Sequence, residues 1–221
     1  MNGAARITDE MSLQRSGMIQ RLREHYNVTD ERVLDAMAAL PRHQFVPSGI
    51  KSQAYRDNAL PIAGGQTISQ PFIVARMTEL LGLTGNEKVL EIGSGSGYQT
   101  AVLASLARKV FSIERLEGLA FEAEQRLLSM GIDNVVMKAG DGTTGWEAYH
   151  PYDAILVAAG GPEVPEPLVE QLKIGGRLVI PIGEEQRSQM LIRVTRTEGT
   201  NKVENFGPCA FVPLIGKHGW G

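Results

Sequence analysis

Between positions 89 and 99 the chain reads Val-Leu-Glu-Ile-Gly-Ser-Gly-Ser-Gly-Tyr-Gln, with glycines at 93, 95 and 97. Glycines in such a run let the backbone turn sharply and let a ligand approach with no Cβ in the way. Two phosphate-binding readings fail on spacing. A dinucleotide fingerprint needs its third glycine at position 98, where Tyr98 stands, and a P-loop needs a Gly-Lys-Ser/Thr that is missing here. What remains is an acidic residue, Glu91, ahead of a G-x-G-x-G loop. A carboxylate beside the loop repels a pyrophosphate. It suits a cationic, zwitterionic ligand such as the amino-acid part of S-adenosylmethionine, directly or through water. Glu114 follows the next apolar run, near the roughly 20-residue interval at which α/β folds place a ribose-binding carboxylate. Asp141, between Gly140 and Gly142, is placed to accept a hydrogen bond from an adenine amino group. Each has an ordinary alternative, since a Glu is usually a solvated surface group and an Asp between glycines a turn former. Three carboxylates at three successive strand ends, where open α/β sheets bind ligands, favour a cofactor site.

The elements that must position these groups follow from periodicity. Residues 11–25 and 30–40 read as amphipathic helices, the second capped by Thr29 or Asp30 and ended by Pro41. Residues 41–70 hold several prolines and the Gly64-Gly65 pair, and read as a long irregular segment, a kind that is often functional. A regular alternation follows. Helix 71–82 precedes strand Lys88–Ile92, and helix Tyr98–Ala107 leads to strand Lys109–Ile113. Helix Leu116–Met130 then precedes strands Val135–Lys138 and Ala154–Ala158. Helix 166–173 leads to strand Arg177–Ile182. That order is the signature of an α/β fold with a Rossmann-like, doubly wound, mostly parallel sheet. Residues 190–214 alternate as antiparallel edge strands. The expected organisation is one domain over 1–221: a helical cap to about 68, a cofactor-binding core over about 69–185, and C-terminal strands over about 186–221.

Composition narrows the chemistry. Lys plus Arg number 22 against 25 Asp plus Glu, a net charge of −3, and no basic run stands out, which argues against a nucleic-acid partner. One cysteine, Cys209, excludes an intramolecular disulfide and a cysteine-based zinc cluster, and the four histidines lie far apart, so no metal is expected. With no signal-peptide pattern and no long apolar run, the expectation is a cytoplasmic protein with no membrane partner.

The Glu91–Gln99 segment resembles motif I of class I S-adenosylmethionine-dependent methyltransferases. More narrowly, Ala59-Leu-Pro-Ile62 with Gly65-Gln-Thr-Ile-Ser-Gln-Pro71 resembles the protein-L-isoaspartate (D-aspartate) O-methyltransferase family. Val74–Leu81, Gly140-Asp-Gly142 with Gly145-Trp146, Gly175–Gly183 and Phe211–Leu214 match it as well. Two positions depart from its pattern. Val157-Ala-Ala-Gly-Gly161 carries Ala158 where the family usually has threonine, and Cys209-Ala210 replaces a usual Val-Arg pair.

The resemblance implies methyl transfer from S-adenosyl-L-methionine to the free carboxylate of L-isoaspartyl, and some D-aspartyl, residues. The product is S-adenosyl-L-homocysteine, and the substrates are age-damaged proteins and peptides. It implies that Ser69 is catalytic, donating to one acceptor oxygen while the other attacks, although Ser ahead of Pro71 also suits a helix cap. It implies cofactor contacts from Gln66, Thr67, Ile68, Ser69, Glu91, Gly93, Ser94, Gly95, Ser96, Gly97, Glu114, Asp141 and Gly142. Backbone groups of Ala59, Leu60 and Pro61, with Ser69, are expected to hold the peptide extended. An acceptor carboxylate with a pKa near 4 is already ionised at neutral pH, so no general base is needed. Orientation is what remains to be supplied, and it can contribute roughly 7–11 kcal/mol. Other readings are a class I methyltransferase acting on a small molecule or RNA, and a catalytically silent cofactor-binding module.

Overall fold

The computed structural model describes residues 3–185 and 188–221, without the side chains of residues 3–10. The expected start of the helical cap at residues 1 and 2, and the boundary expected at 186, lie outside the described residues. The chain opens with α1 (Gly3–Glu24) and α2 (Glu31–Ala39). Asp30 caps α2 by accepting from the Arg32 N–H at 3.0 Å and the Val33 N–H at 3.4 Å. Such a cap contributes about 1 kcal/mol.

The segment expected to be irregular, 41–70, is more ordered than its prolines suggest. Two short 3-10 turns lead into a hairpin of β1 (Leu60–Pro61) and β2 (Thr67–Ile68), paired Leu60 to Ile68 and Pro61 to Thr67, and a third, Ala63–Gly65, connects its strands. Gly64 and Gly65, at φ 66° and 68°, make its turn, a conformation that strains any residue with a Cβ. Next comes α3 (Pro71–Leu81), with Pro71 in its first turn and Gly82 at φ 59° closing its end.

The remaining elements are β3 (Lys88–Ile92), α4 (Tyr98–Leu106), β4 (Lys109–Glu114), α5 (Glu117–Ser129), β5 (Val135–Ala139) and β6 (Tyr152–Val157), then α6 (Glu166–Glu170), β7 (Leu172–Glu185), β8 (Ser188–Thr195) and β9 (Lys202–Cys209). Seven strands form one sheet in the order β5-β4-β3-β6-β7-β8-β9. The pairs from β5 to β7 are parallel, and β8 and β9 are added antiparallel. The sheet is thus Rossmann-like and mostly parallel, with antiparallel C-terminal strands.

Two expected boundaries need correction. Helix 166–173 stops at Glu170, because Leu172 already pairs with Tyr152, and β7 begins there rather than at Arg177. Gly175 and Gly176 precede the strand expected from Arg177. In the structure they lie inside β7, exchanging backbone hydrogen bonds with Arg196 at 2.8 and 2.9 Å.

The chain runs outward from β3 through β4 to β5, then returns to place β6 on the other side of β3. That reversal is the switch point at which open α/β sheets leave a crevice beyond the strand ends. One core cluster joins α1–α4 to a face of the sheet through residues such as Leu22, Met37, Met77 and Leu103. A second, on Leu90, Ile92, Ile113 and Ile155, is closed by Leu168 of α6.

Candidate active site

The crevice beyond β3, β4 and β6 is lined by the glycine loop and by the β2 segment that faces it. Of the expected cofactor residues, the structure brings Gln66, Thr67, Ile68, Ser69, Gly93, Ser94, Gly95, Ser96, Glu114 and Gly142 to this cavity. Strand pairing continues into the loop, with Gly93 N–H donating to the Ile113 carbonyl and Ala158 N–H to the Ile92 carbonyl, both at 2.8 Å. Glu114 holds the loop from below. Its carboxylate accepts from the Gly95 N–H at 2.9 Å and the Leu116 N–H at 3.0 Å. A Cβ on Gly95 would lie 3.5 Å from the Ile62 side chain, so the loop is packed directly against the hairpin. Val74, Ile92, Tyr98, Gln99, Ile113, Arg115, Ala158, Ala159 and Val212–Ile215 complete the lining. Of these, Val74, Ile92, Tyr98, Gln99 and Val212–Leu214 lie in segments that match the family pattern, whereas Ile113, Arg115 and Ile215 do not.

Glu91, Gly97 and Asp141 fall outside the lining. Glu91 is fully buried and turned toward α4, because the strand's alternation puts Leu90 and Ile92 on the other face. Its Oε2 accepts the Thr100 and Ser112 hydroxyls, both at 2.6 Å, and its Oε1 has no partner. Burial, opposed by those two hydroxyls, pushes its carboxyl up to about 7. The direct ligand contact considered for Glu91 is therefore not what the structure presents. Gly97 instead serves the N-terminus of α4, at φ 84°, where a Cβ would press on Ala123 at 3.3 Å. Asp141 accepts from the Thr143 N–H and hydroxyl at 2.8 and 2.7 Å and from the Lys217 N–H at 2.8 Å. It turns the chain and anchors the C-terminal segment, where the sequence suggested an open acceptor for adenine.

A second cavity of about 450 Å³ adjoins the first, lined by Tyr26, Ala59, Phe72 and the Pro208–Val212 segment among others. Thr67, Ser69, Ala158 and Val212 line both. Of the expected peptide-holding residues, Ala59 and Ser69 reach this cavity. Leu60 is buried in the core and Pro61 is exposed, because the β1–β2 pairing uses their backbone. Among the described residues that line the cavity, none is Lys or Arg. The two departures from the family pattern, Ala158 and Cys209-Ala210, both lie on its wall. Burial pushes the Cys209 thiol up to about 11.

Three residues that sequence reasoning missed hold the Ser69 segment. Arg42 is wholly buried and donates to the Ala54 carbonyl at 2.8 Å and the Ser69 carbonyl at 2.7 Å, with its guanidinium 4.8 Å from the centroid of the Tyr98 ring. Asp57 accepts from Gln70 Nε2 at 2.8 Å, from the Phe72 N–H at 3.3 Å and from the Tyr26 hydroxyl. Tyr26 in turn stacks on Phe72 at 4.2 Å. Asp57 thus caps α3 from a distance, and the cap position, Gln70, makes no side-chain bond to the helix. The Ser69 hydroxyl takes no part in that cap. Among the described residues, no cluster of three or more His, Cys, Asp or Glu is placed to hold a metal ion.

The sequence matches the family described as protein-L-isoaspartate(D-aspartate) O-methyltransferase over residues 13–219. The chain belongs to that family. A protein-L-isoaspartate O-methyltransferase of Syntrophus aciditrophicus is 54% identical over 217 residues, covering 97% of this chain and 99% of the relative. Another, from Dictyoglomus thermophilum, is 50% identical over 213 residues, 96% of each chain. A solved protein-L-isoaspartate O-methyltransferase superposes with a TM-score of 0.84 at 32% identity, covering 93% of this chain and 67% of the other. A β-aspartate methyltransferase from Plasmodium falciparum, in complex with S-adenosyl-L-homocysteine, superposes at 0.79 with 25% identity, covering 91% and 98%. Among the described residues, no helix is long and apolar enough to cross a membrane.

Proposed function

We propose that this methyltransferase transfers a methyl group from S-adenosyl-L-methionine to the free carboxylate of L-isoaspartyl residues in age-damaged proteins and peptides, across the wall that the two cavities share. The following backbone amide nitrogen then attacks the ester carbonyl and expels methanol, closing a succinimide that initiates repair. In this reading the glycine-loop cavity holds the cofactor and the Tyr26–Val212 cavity holds the acceptor. The observation that carries it is Ser69, which lines both cavities while its hydroxyl stays outside the helix cap. The residues present fit the cofactor. The Ser94 hydroxyl is buried and unpartnered, Glu114 stands at the end of β4, and the backbone of Gly93 and Gly95 lines the cavity. When bound, S-adenosyl-L-methionine supplies an electrophilic methyl group on a sulfonium.

The chain's own residues then have limited tasks. Ser69 donates to one oxygen of the acceptor carboxylate and leaves the other free to attack. Arg42 fixes the Ser69 carbonyl, and Asp57 fixes the Gln70 side chain and the Phe72 N–H that follow it. Gln66, Thr67 and Ile68 flank the methionine part, and Glu114 meets the ribose. With no Lys or Arg on the acceptor wall, neutral donors receive the carboxylate, so it keeps its nucleophilic charge. Nucleic acid and membrane are not partners in this reading, which places the enzyme in the cytoplasm. The test offers radiolabelled S-adenosyl-L-methionine with matched peptides containing L-isoaspartate or L-aspartate. Label in the isoaspartyl peptide alone is expected. Label in both, or in neither, overturns the proposal.

A further inference from the structure

The acceptor cavity is larger than its reaction requires. The reacting carboxylate sits at Ser69, on the wall shared with the glycine-loop cavity, whereas a volume of about 450 Å³ is one that houses a ligand well beyond a single carboxylate. Away from the shared wall the lining is mostly carbon. Tyr26 follows α1, Phe72 and Ile73 stand on α3, and Pro208, Cys209 and Ala210 come where β9 ends. These groups are held in place before any ligand arrives. The Tyr26 hydroxyl donates to Asp57, so the residue presents its ring rather than a donor. That ring stacks on Phe72 with centroids 4.2 Å apart and planes 17° from parallel, and the His25 ring meets it edge-on at 4.7 Å. Asp57 also fixes the Phe72 N–H at 3.3 Å. Gln70, the polar exception in this part, spends its side-chain amide on Asp57 at 2.8 Å. Asp57 itself is not on the lining, and Cys209, raised by burial to about 11, stays a neutral thiol.

We propose that this carbon-lined part of the cavity is a subsite for the side chain next to the isoaspartyl residue, and that it selects an apolar neighbour, leucine or phenylalanine, over a charged one. The proposal rests on the second cavity being the acceptor site. The reacting carboxylate must lie at Ser69 to meet the cofactor, so it does not fill the region by Tyr26 and Phe72. Its neighbours in the peptide are the groups left to occupy that region. A charged neighbour would shed water and find no opposite charge on the wall, whereas an aliphatic or aromatic one gains by leaving water. Rings already stacked and tethered lose little freedom when they are covered, which adds to the selection. Because the region lies away from the reacting atoms, the selection acts on KM and leaves kcat nearly the same.

Steady-state methylation is measured with isoaspartyl peptides whose residue on either side is varied among Gly, Leu, Phe, Glu and Lys, each with an aspartyl control. Leu or Phe at one of the two positions is expected to raise kcat/KM roughly tenfold over Gly, through KM, with Glu and Lys at or below Gly. Phe72→Ala is expected to cut that advantage to about twofold. Ala210→Lys, at an exposed position, puts a charge on the wall and is expected to raise the Glu-flanked peptide and lower the Leu-flanked one. Equal kcat/KM across the series overturns the proposal. So does a Lys or Glu peptide ahead of Leu and Phe in the unaltered chain, or an advantage unchanged in both variants. If Phe72→Ala does not fold, the peptide series and Ala210→Lys still decide. Methylation of the aspartyl controls, or no methylation at all, instead overturns the repair reading. Binding of fluorescein-labelled peptides, followed by anisotropy with S-adenosyl-L-homocysteine present, then decides the subsite separately. Tighter binding of the Leu or Phe peptide than of the Gly peptide supports it, and equal affinity overturns it.

Discussion

Replacing Asp57 by Asn tests whether a carboxylate far from Ser69 in the chain holds the end of α3. The side chain keeps its shape, but one acceptor oxygen becomes an NH2 donor. Three donors face the carboxylate: the Tyr26 hydroxyl, Gln70 Nε2 and the Phe72 N–H. If the amide oxygen faces Tyr26 and Gln70, the new NH2 meets the Phe72 N–H and that bond is lost. The surviving pair changes from charge-assisted to neutral, each losing about 1 kcal/mol, and the lost bond costs about 1 kcal/mol more. Asp57 is only partly buried, so water recovers some of this and the net cost is about 2 kcal/mol. For a chain of this size that corresponds to a Tm lower by about 4–8 °C. Because the freed end of α3 begins beside Ser69, kcat is expected to fall about tenfold, equivalent to about 1.4 kcal/mol of lost orientation. The assay pairs thermal and urea unfolding with steady-state methylation of an isoaspartyl peptide, in a double-mutant cycle with Tyr26→Phe. A coupling energy of about 1 kcal/mol is expected between the two sites. Unchanged Tm and unchanged kcat in the Asp57→Asn variant, or a coupling energy near zero, would refute the reasoning.

Other perturbations report on separate parts of the site. Ser69→Ala should lower kcat by roughly 10- to 100-fold while S-adenosyl-L-homocysteine affinity stays within about twofold, and a comparable loss of affinity would assign Ser69 to cofactor binding instead. Glu114→Ala should do the reverse, weakening S-adenosyl-L-homocysteine by calorimetry about tenfold or more, since it removes the acceptor for Gly95 and Leu116. The Glu91 carboxyl is raised to about 7 in the folded state from 4.5, so the native state holds the extra proton between those values. Its contribution, about 3 kcal/mol, is therefore full below pH 4.5 and lost as pH rises through 7. Glu91→Gln should flatten that part of the stability-versus-pH curve of the cofactor-free protein, and identical curves for the two proteins would show that Glu91 does not titrate there. With its thiol raised to about 11, Cys209 should react with iodoacetamide at pH 8 far more slowly than a free cysteine, and bound isoaspartyl peptide should slow it further. Equal rates would place it outside the acceptor cavity.

The parts of this molecule that could be read in advance are those whose signal is local. Lys88–Ile92 is found as expected because a short apolar run followed by glycines has few alternatives to a buried strand. The glycine loop was legible for the same reason, since its backbone freedom is written in three nearby positions. Arg42 was not, because nothing around a basic residue after Pro41 says that it will be buried beneath a loop 27 residues away. Asp57 acts at separations of 13, 15 and 31 residues. The same holds for Asp141, whose local turn role was visible but whose partner, Lys217, lies 76 residues later. Ser69 stands between the two cases. Its motif was recognisable, whereas its release from capping duty depends on Asp57 having taken the Phe72 N–H. The end of α6 at Glu170 followed from pairing with β6, which propensity does not encode.

The burial of Arg42 has an electrostatic consequence. A guanidinium in water is surrounded by counter-ions and polarised solvent, and its field decays within about 10 Å. Arg42 is cut off from both, and it donates to the carbonyl of Ser69, the residue that faces both cavities. Its field reaches the acceptor side through protein of low polarisability, where a unit charge acts several times more strongly than in water. Asp57, which borders the same segment, opposes that field in part. The acceptor cavity thus feels a nearby positive charge while showing no cation on its wall. An incoming carboxylate can be drawn in without the ion pair that would blunt its attack.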